Sequence, residues 1–340
     1  MKKLLSVTLE RGGSFKARQG QTLLDAAMLA GVDMPHDCRS GHCGTCMCDV
    51  VAGAIDGGPE SNGSSVLACQ ARLTSDVTIA VEDRPPIETH SGVVRSLTAV
   101  APDVIAVEIE TRRPVDYLPG QYCQFRFAGF PARCYSPSAP LTTPLAQGTI
   151  CLHVRRMSNG RVSGALGGAI RPGHKVRIEG PYGSAYLRSG STKRLVLVAS
   201  GTGFAPVWAV ALSALAEMPD REIIAVIGAR TREVYYMAPA LRRLTAFPRV
   251  KVTPVLQYGA SSDCVPIGSP ADYLPPLTPD DVVYACGAPG LVQAVSQIAR
   301  TAGAKCHADP FAPAEPARAE VGSPGLFART FRRVLATSVS

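Results

Sequence analysis

The sequence predicts a multi-domain protein that joins α+β and α/β architectures, and three observations predict it. At 340 residues the chain exceeds one typical domain. Residues 91–188 carry strand-like stretches (VIAVEIET, QYCQFRF, TICLHVRR, HKVRIEG) punctuated by turn residues, the pattern of an antiparallel barrel or sandwich. From about residue 192 the runs RLVLVAS, IIAVIGA, VKVTPVL and VVYACGA are almost wholly apolar. Helix-like stretches, APVWAVALSALAEM and PGLVQAVSQIARTAG, separate them. Strands buried on both faces and alternating with helices predict a Rossmann-like, doubly wound parallel sheet. The texture divides the chain into 1–83, a Pro/Gly-rich linker at 84–90, 91–188, 189–311 and an Ala/Pro/Glu/Arg-rich tail at 312–340, with no internal repeat.

Composition narrows the function. Apolar residues make up 46% of the chain, enough for real cores. The start, MKKLLSVTLE, has too short an apolar run for a signal peptide, and no run approaches a membrane span, so a soluble, cytoplasmic protein is expected. The net charge of +8 is scattered, with no basic run interleaved with aromatics. That disfavours nucleic acid and suits anionic cofactors or an acidic protein partner. Eleven cysteines, crowded toward the N-terminus, indicate metal or redox chemistry in a cytosolic chain.

In residues 1–83 the stretches LLSVTLE, CDVVAGAI and VTIAVE read as strands around one helix, TLLDAAMLAGV. Thr22 and Asp25 form a capping-box pattern at its start. Cys38, Cys43, Cys46 and Cys69 have the C-x4-C-x2-C plus distant cysteine spacing of a plant-type [2Fe–2S] site. Such a loop must bring three thiolates and its own N–H groups to a small cluster, and Gly41 and Gly44 permit that approach. Cys48 is then the spare cysteine, packing as a small apolar residue. Zinc sites use two short Cys or Cys/His pairs, whereas here three cysteines share one loop. His36 and His42 have the wrong spacing for a Rieske-type site and read as loop residues.

Arg133, Tyr135 and Ser136 in PARCYSPS suit a flavin: a cation for pyrophosphate, an aromatic for the ring system and a hydroxyl near the reactive N5. Each also fits an ordinary surface strand. Gly160 and Ser163 in SNGRVSGAL suggest a glycine-led turn opening a helix, able to bind phosphate, and equally fit a plain helix cap. In VLVASGTGFAP an apolar strand meets Gly201, Thr202, Gly203 and Pro206 before a helix, a pyrophosphate-binding pattern. Cys286 and Gly287 in YACGAP end another strand; a buried strand-end cysteine is the plainer reading. Arg230 or Arg232, after a strand, would hold a 2′-phosphate or stay solvated.

Residues 1–83 resemble a plant-type ferredoxin domain, which implies a β-grasp fold. The 22 residues between Cys46 and Cys69 are fewer than is usual in that family, with DGGPESNGSS a shortened loop. The flavin and nicotinamide motifs, with PGQYCQF and GPYGSAYLR, resemble the ferredoxin–NADP reductase superfamily, which implies FAD on an antiparallel barrel. In that superfamily the C-G-x-P segment lies beside the nicotinamide, which places Cys286 near the hydride path. Phe311 matches the C-terminal aromatic that covers the flavin ring. The whole order, over about residues 1–311, resembles the reductase components of bacterial ring-hydroxylating oxygenases, especially the naphthalene dioxygenase reductase group. The resemblance implies transfer from NADH, with NADPH also accommodated, through FAD and [2Fe–2S] to a Rieske ferredoxin or the oxygenase itself. It implies a place in aromatic catabolism. Rival readings are a reductase for a di-iron monooxygenase, a redox sensor, and a zinc-bearing nucleic-acid binder; the last is opposed by the flavin and nicotinamide motifs. The tail segment GLFARTFRRVLA has apolar residues at helical spacing beside basic ones and suggests docking to a partner or membrane surface, or a disordered end. The oligomeric state has no sequence signature.

Overall fold

The computed structural model describes residues 3–36, 38–41, 44–57, 65–144, 146–259 and 265–311. The tail at 312–340, Cys43 and His42 lie outside the described residues.

The first body holds β1 (Leu4–Leu9), β2 (Ser14–Arg18), α1 (Leu23–Leu29), β3 (Met47–Asp56), β4 (Ser65–Leu67) and β5 (Arg72–Ala80). The sheet order is β2-β1-β5-β3-β4, with β1 and β5 parallel and the other pairs antiparallel. Helix α1 starts where expected: the Asp25 N–H donates to the Thr22 hydroxyl at 3.3 Å. The reciprocal half differs, because the Asp25 carboxylate accepts from the Thr22 hydroxyl at 2.7 Å. Gly31, at φ +70°, turns the chain just past the helix end. Leu23, Leu24, Ala26 and Ala27 bury against Leu5, Val7, Leu73 and Ile79, so one apolar face of α1 closes a β-grasp core.

The second body holds β6 (Glu88–Ala101), β7 (Val104–Thr111), β8 (Tyr122–Phe127), β9 (Arg133–Tyr135), β10 (Thr149–Arg155) and β11 (Lys175–Tyr182), all antiparallel in the order β10-β7-β6-β11-β8-β9. The sheet curls until Ser138, just past β9, bridges to Cys151 of β10, giving a barrel around Ile109, Phe125, Phe127, Leu152 and Ile178. Two expectations change here. Glu88, Thr89 and His90, placed in the linker by their neighbouring prolines, pair with Gly180, Glu179 and Ile178 and begin β6. The helix expected after Gly160 is a single 3₁₀ turn, Ser163–Ala165. Gly164, Gly167 and Gly168 crowd that stretch and Gly167 has φ +85°, so a helix cannot propagate.

The third body holds β12 (Arg194–Ser200), α2 (Phe204–Glu217), β13 (Ile223–Ala229), α3 (Ala238–Leu244), β14 (Val250–Leu256), β15 (Asp281–Gly287), α4 (Pro289–Thr301) and β16 (Lys305–Pro310). All strands are parallel in the order β14-β13-β12-β15-β16. Alternate residues of β12 face opposite layers: Leu195, Leu197 and Ala199 pack with α2 and α3, while Val196 and Val198 pack with α4. Strand order reverses between β12 and β15, so their carboxyl ends form the crevice where ligands bind in open α/β sheets. Among the described residues no helix is long and apolar enough to cross a membrane.

Candidate functional site

The cysteine loop runs from the end of α1 into β3. Arg39 (φ +54°), Gly41 (φ +87°) and Gly44 (φ +68°) are left-handed, which wraps the chain tightly. A Cβ on Gly41 would sit 3.1 Å from Gln70 Cγ, so the loop lies against the neighbour of Cys69. The Ser40 N–H donates to Cys38 Sγ at 3.4 Å, and Gln70 Nε2 donates to Cys69 Sγ at 3.7 Å. Amides aimed at sulfur favour thiolates, and thiolates are the donor set a [2Fe–2S] cluster requires. Cys38 is exposed, Cys69 half-buried and Cys46 buried. Cys48 shares the apolar cluster with Cys46, and burial pushes the Cys48 thiol up to about 12. The His36 ring bonds through Nδ1 to the Met34 carbonyl at 2.8 Å, as an ordinary loop residue does.

The flavin candidates sit on the curled sheet. Phe125 opposes Arg133 and Cys123 opposes Tyr135 across β8 and β9. Arg133 is half-buried and donates to the Ala132 carbonyl at 2.8 Å. Burial pushes the Tyr135 phenol up to about 12, so it remains a neutral hydroxyl. Ser136 is buried. The Met157 N–H donates to the Ser163 hydroxyl at 3.2 Å, and the Gly164 N–H to the Gly160 carbonyl at 2.8 Å. These bonds close a tight turn in which a Cβ on Gly160 would run into Ser163 Oγ. Val162 and Leu166 share the apolar cluster that Tyr135 packs on, which brings residues 133–136 and 160–165 to one side of the barrel.

The nicotinamide candidates meet at the crevice. The 3₁₀ turn Gly201–Gly203 leads from β12 into α2, with Pro206 in the helix's first turn. A Cβ on Gly203 would fall 2.5 Å from the Cys286 carbonyl carbon and 2.6 Å from Gly287 Cα. Gly287, at φ +117°, presses on Ser200 in the same way. The ends of β12 and β15 therefore touch backbone to backbone, and a glycine turn leading into a helix N-terminus suits a pyrophosphate. Cys286 is buried, and burial first, then Asp309, lifts its thiol well above the ordinary range. The Phe311 N–H donates to the Gly287 carbonyl at 2.7 Å, tying the aromatic to the same turn. Arg230 is exposed directly after β13, and Arg232 lies in the following 3₁₀ turn.

Two hydrogen bonds fix these sites relative to one another. Ser138, two residues past Ser136, donates to the Ala205 carbonyl at 2.7 Å, joining the stretch after β9 to the first turn of α2, just past the glycines. The Gly183 N–H donates to the Thr45 hydroxyl at 3.0 Å, joining the barrel to the cysteine loop beside Cys46. Neither serine nor threonine stands out in sequence, because short polar residues in turns are common.

The sequence reading also missed Asp309. It pairs with Cys286 across β15 and β16, and its Oδ2 is enclosed without a hydrogen-bond partner among the described residues. Burial raises its carboxyl to about 7, so it can hold a proton at that oxygen. An acid within the short strand KCHADP was the available signal. The unfolded chain releases this proton near pH 4, whereas the folded state keeps it to about pH 7. Stability therefore falls as pH rises through that window. Thermal melts at pH 5 and pH 7.5 should show Asp309→Asn with a flatter pH dependence than wild type; an unchanged slope would assign it to another group.

Comparison with known proteins agrees with this geometry. Three family models match in chain order: a 2Fe-2S iron-sulfur cluster binding domain over 7–74, an oxidoreductase FAD-binding domain over 91–186 and an oxidoreductase NAD-binding domain over 197–297. The ferredoxin–NAD(P)+ reductase component of the naphthalene 1,2-dioxygenase/salicylate 5-hydroxylase systems of Ralstonia sp. is 33% identical over 316 residues, covering 87% of this chain and 95% of its own. The ferredoxin–NAD+ reductase component of the alkene monooxygenase system of Xanthobacter autotrophicus is 35% identical over 253 residues, 70% of this chain and 76% of its own. The solved structure of Amycolatopsis cytochrome P450 reductase GcoB superposes with a TM-score of 0.65 at 27% identity, over 91% of this chain and 99% of that one.

Proposed function

The chain belongs to the family of ferredoxin–NAD(P)+ reductase components of oxygenase systems, and from that premise we propose that it feeds an aromatic-ring-hydroxylating oxygenase, directly or through a Rieske-type ferredoxin. It is an oxidoreductase in which electrons pass from NAD(P)H through FAD to a [2Fe–2S] cluster. Bound FAD supplies the link between a two-electron hydride donor and a one-electron carrier.

In this reading Cys38, Cys43, Cys46 and Cys69 hold the iron. Arg133 and the turn at Gly160 and Ser163 hold the flavin phosphates, while Tyr135 and Ser136 orient its ring. Gly201, Thr202, Gly203 and Pro206 receive the coenzyme pyrophosphate. Cys286, Gly287 and Phe311 border the space where hydride passes, and the buried Cys286 thiol and Phe311 keep water from it. Arg230 meets the adenosine end, with NADH preferred to NADPH. The cytoplasm, where thiols stay reduced, is the compartment this chemistry needs.

The observation that carries the reading is the pair of cross-links, Ser138 to Ala205 and Gly183 to Thr45, which ties three electron-handling segments into one path. The test is reconstitution. With NADH and this reductase, a Rieske ferredoxin should be reduced at least tenfold faster than a di-iron hydroxylase component, and kcat/KM for NADH should exceed that for NADPH. The alkene monooxygenase relative favours a second reading, service to a di-iron monooxygenase, which predicts the opposite acceptor preference. A redox sensor would turn over slowly with every acceptor.

A further inference from the structure

The segment joining the ferredoxin-like body to the barrel is not a slack tether. Arg84 points back into the cysteine loop, with its side chain only 5% exposed. Its Nη1 donates to the Thr45 carbonyl at 2.6 Å and its Nη2 to the Met47 carbonyl at 3.1 Å. The carbonyl between them, that of Cys46, accepts from the Ala68 N–H at 3.0 Å, one residue before Cys69. Three successive carbonyls of the peptide carrying Cys46 are thus pinned, two of them by one guanidinium.

The guanidinium meets the barrel side through the Tyr186 ring, whose centroid lies 5.6 Å from it, and through Glu82. Glu82 lies 4.0 Å from Arg84 but is engaged mainly by Arg188, at 2.6 and 3.2 Å, and by the Tyr186 hydroxyl. Burial opposes ionisation of Glu82, yet the bonds from Arg188 and Tyr186 prevail and hold its carboxyl below the ordinary value. Arg188 also donates to the Ser184 and Tyr186 carbonyls, both at 2.6 Å, and stacks 3.7 Å over the Tyr186 ring. One carboxylate between two arginines leaves one net positive charge beside Cys46. In a poorly solvated site that charge favours the more negative, reduced form of whatever group Cys46 holds.

We propose that Arg84 is a positioning residue that clamps the peptide Thr45–Met47 onto the flavin-bearing body, and that it raises both the reduction potential of the cluster and the rate at which one electron passes from reduced flavin into it. The inference rests on the reading of Cys46 as a cluster ligand. Lysine would keep the charge but cannot span both carbonyls, because only arginine presents donors in a fixed fork.

The test uses the full-length holoprotein and three variants, Arg84→Met, Arg84→Lys and Cys46→Ser. Arg84→Met should lower the cluster midpoint potential in an EPR-monitored titration by at least the equivalent of tenfold in equilibrium, about 59 mV for one electron. NADH-driven reduction of cytochrome c through the cluster should fall tenfold or more, while NADH–ferricyanide turnover at the flavin stays at the wild-type rate. Arg84→Lys should restore the potential and leave cluster reduction slow. If Arg84→Met fails to assemble, Arg84→Lys decides alone: slowed cluster reduction at a wild-type potential supports the clamp, and wild-type values for both overturn it. Wild-type potential and rate in Arg84→Met also overturn it. A cluster signal that survives in Cys46→Ser defeats the ligand reading instead, whereas loss of that signal with Arg84 variants unchanged defeats the clamp alone.

Discussion

Cys46→Ser should yield a yellow protein that still oxidises NADH with ferricyanide but has lost the low-temperature EPR signal of a reduced [2Fe–2S] cluster. Among the described cysteines of the loop Cys46 is the buried one, and its peptide is fastened on both sides, so no neighbouring residue can swing in to replace it. Cys48, two residues on, is buried in β3 against Val66 of β4, and its thiol stays protonated far above neutral pH. Loss of an outer-shell partner commonly costs 10–100-fold in metal affinity, and loss of a ligand should exceed that range. Cluster-dependent cytochrome c reduction should therefore fall by more than about 100-fold. Cys48→Ala should keep the full signal. A signal that survives in Cys46→Ser and vanishes in Cys48→Ala would reverse the assignment.

Gly203→Ala should disable the nicotinamide side while sparing the cluster. Its new Cβ would come within 2.6 Å of Gly287 Cα and closer still to the Cys286 carbonyl. Carbon atoms prefer about 3.5–4.0 Å, so two strand ends must separate. Overpacking of this kind costs about 1–3 kcal/mol or more. A shift of about 1 Å at a reacting site costs on the order of 100-fold in rate. Flavin reduction by NADH in stopped flow should fall by about that factor, while dithionite still produces the cluster signal. Gly201→Ala is the contrast. It has φ +54° but nothing within 4 Å of its would-be Cβ, so only the left-handed backbone cost of about 1–2 kcal/mol applies. Equal losses in the two variants would show that backbone strain, not the β12–β15 contact, makes this turn need glycine.

Much of the architecture was legible because the signals were local. The apolar runs of β12, β13 and β15 announce strands covered on both faces, and the cysteine spacing announces a loop that gathers thiols. What was hidden depends on distant partners. β16 mixes Lys305, His307 and Asp309 with small residues and becomes a strand only because β15 offers it an edge. β6 begins among residues that look like linker, since pairing with β11 overrides the nearby prolines. Gly160 and Ser163 carried a helix signal that the glycines after them cancel. At the site, Ser138, Thr45, Asp309 and Arg84 are unremarkable letters whose roles come from contacts across 23 to 138 positions of sequence or from enclosure.

The most direct measurement of the central claim is an anaerobic titration of the purified protein with NADH, read by visible absorbance and low-temperature EPR together. The account predicts that flavin absorbance bleaches and that the reduced [2Fe–2S] signal grows with it, because one chain holds donor site, flavin and cluster on a single path. Bleaching of the flavin with no cluster signal, in protein whose iron content is complete, would contradict it.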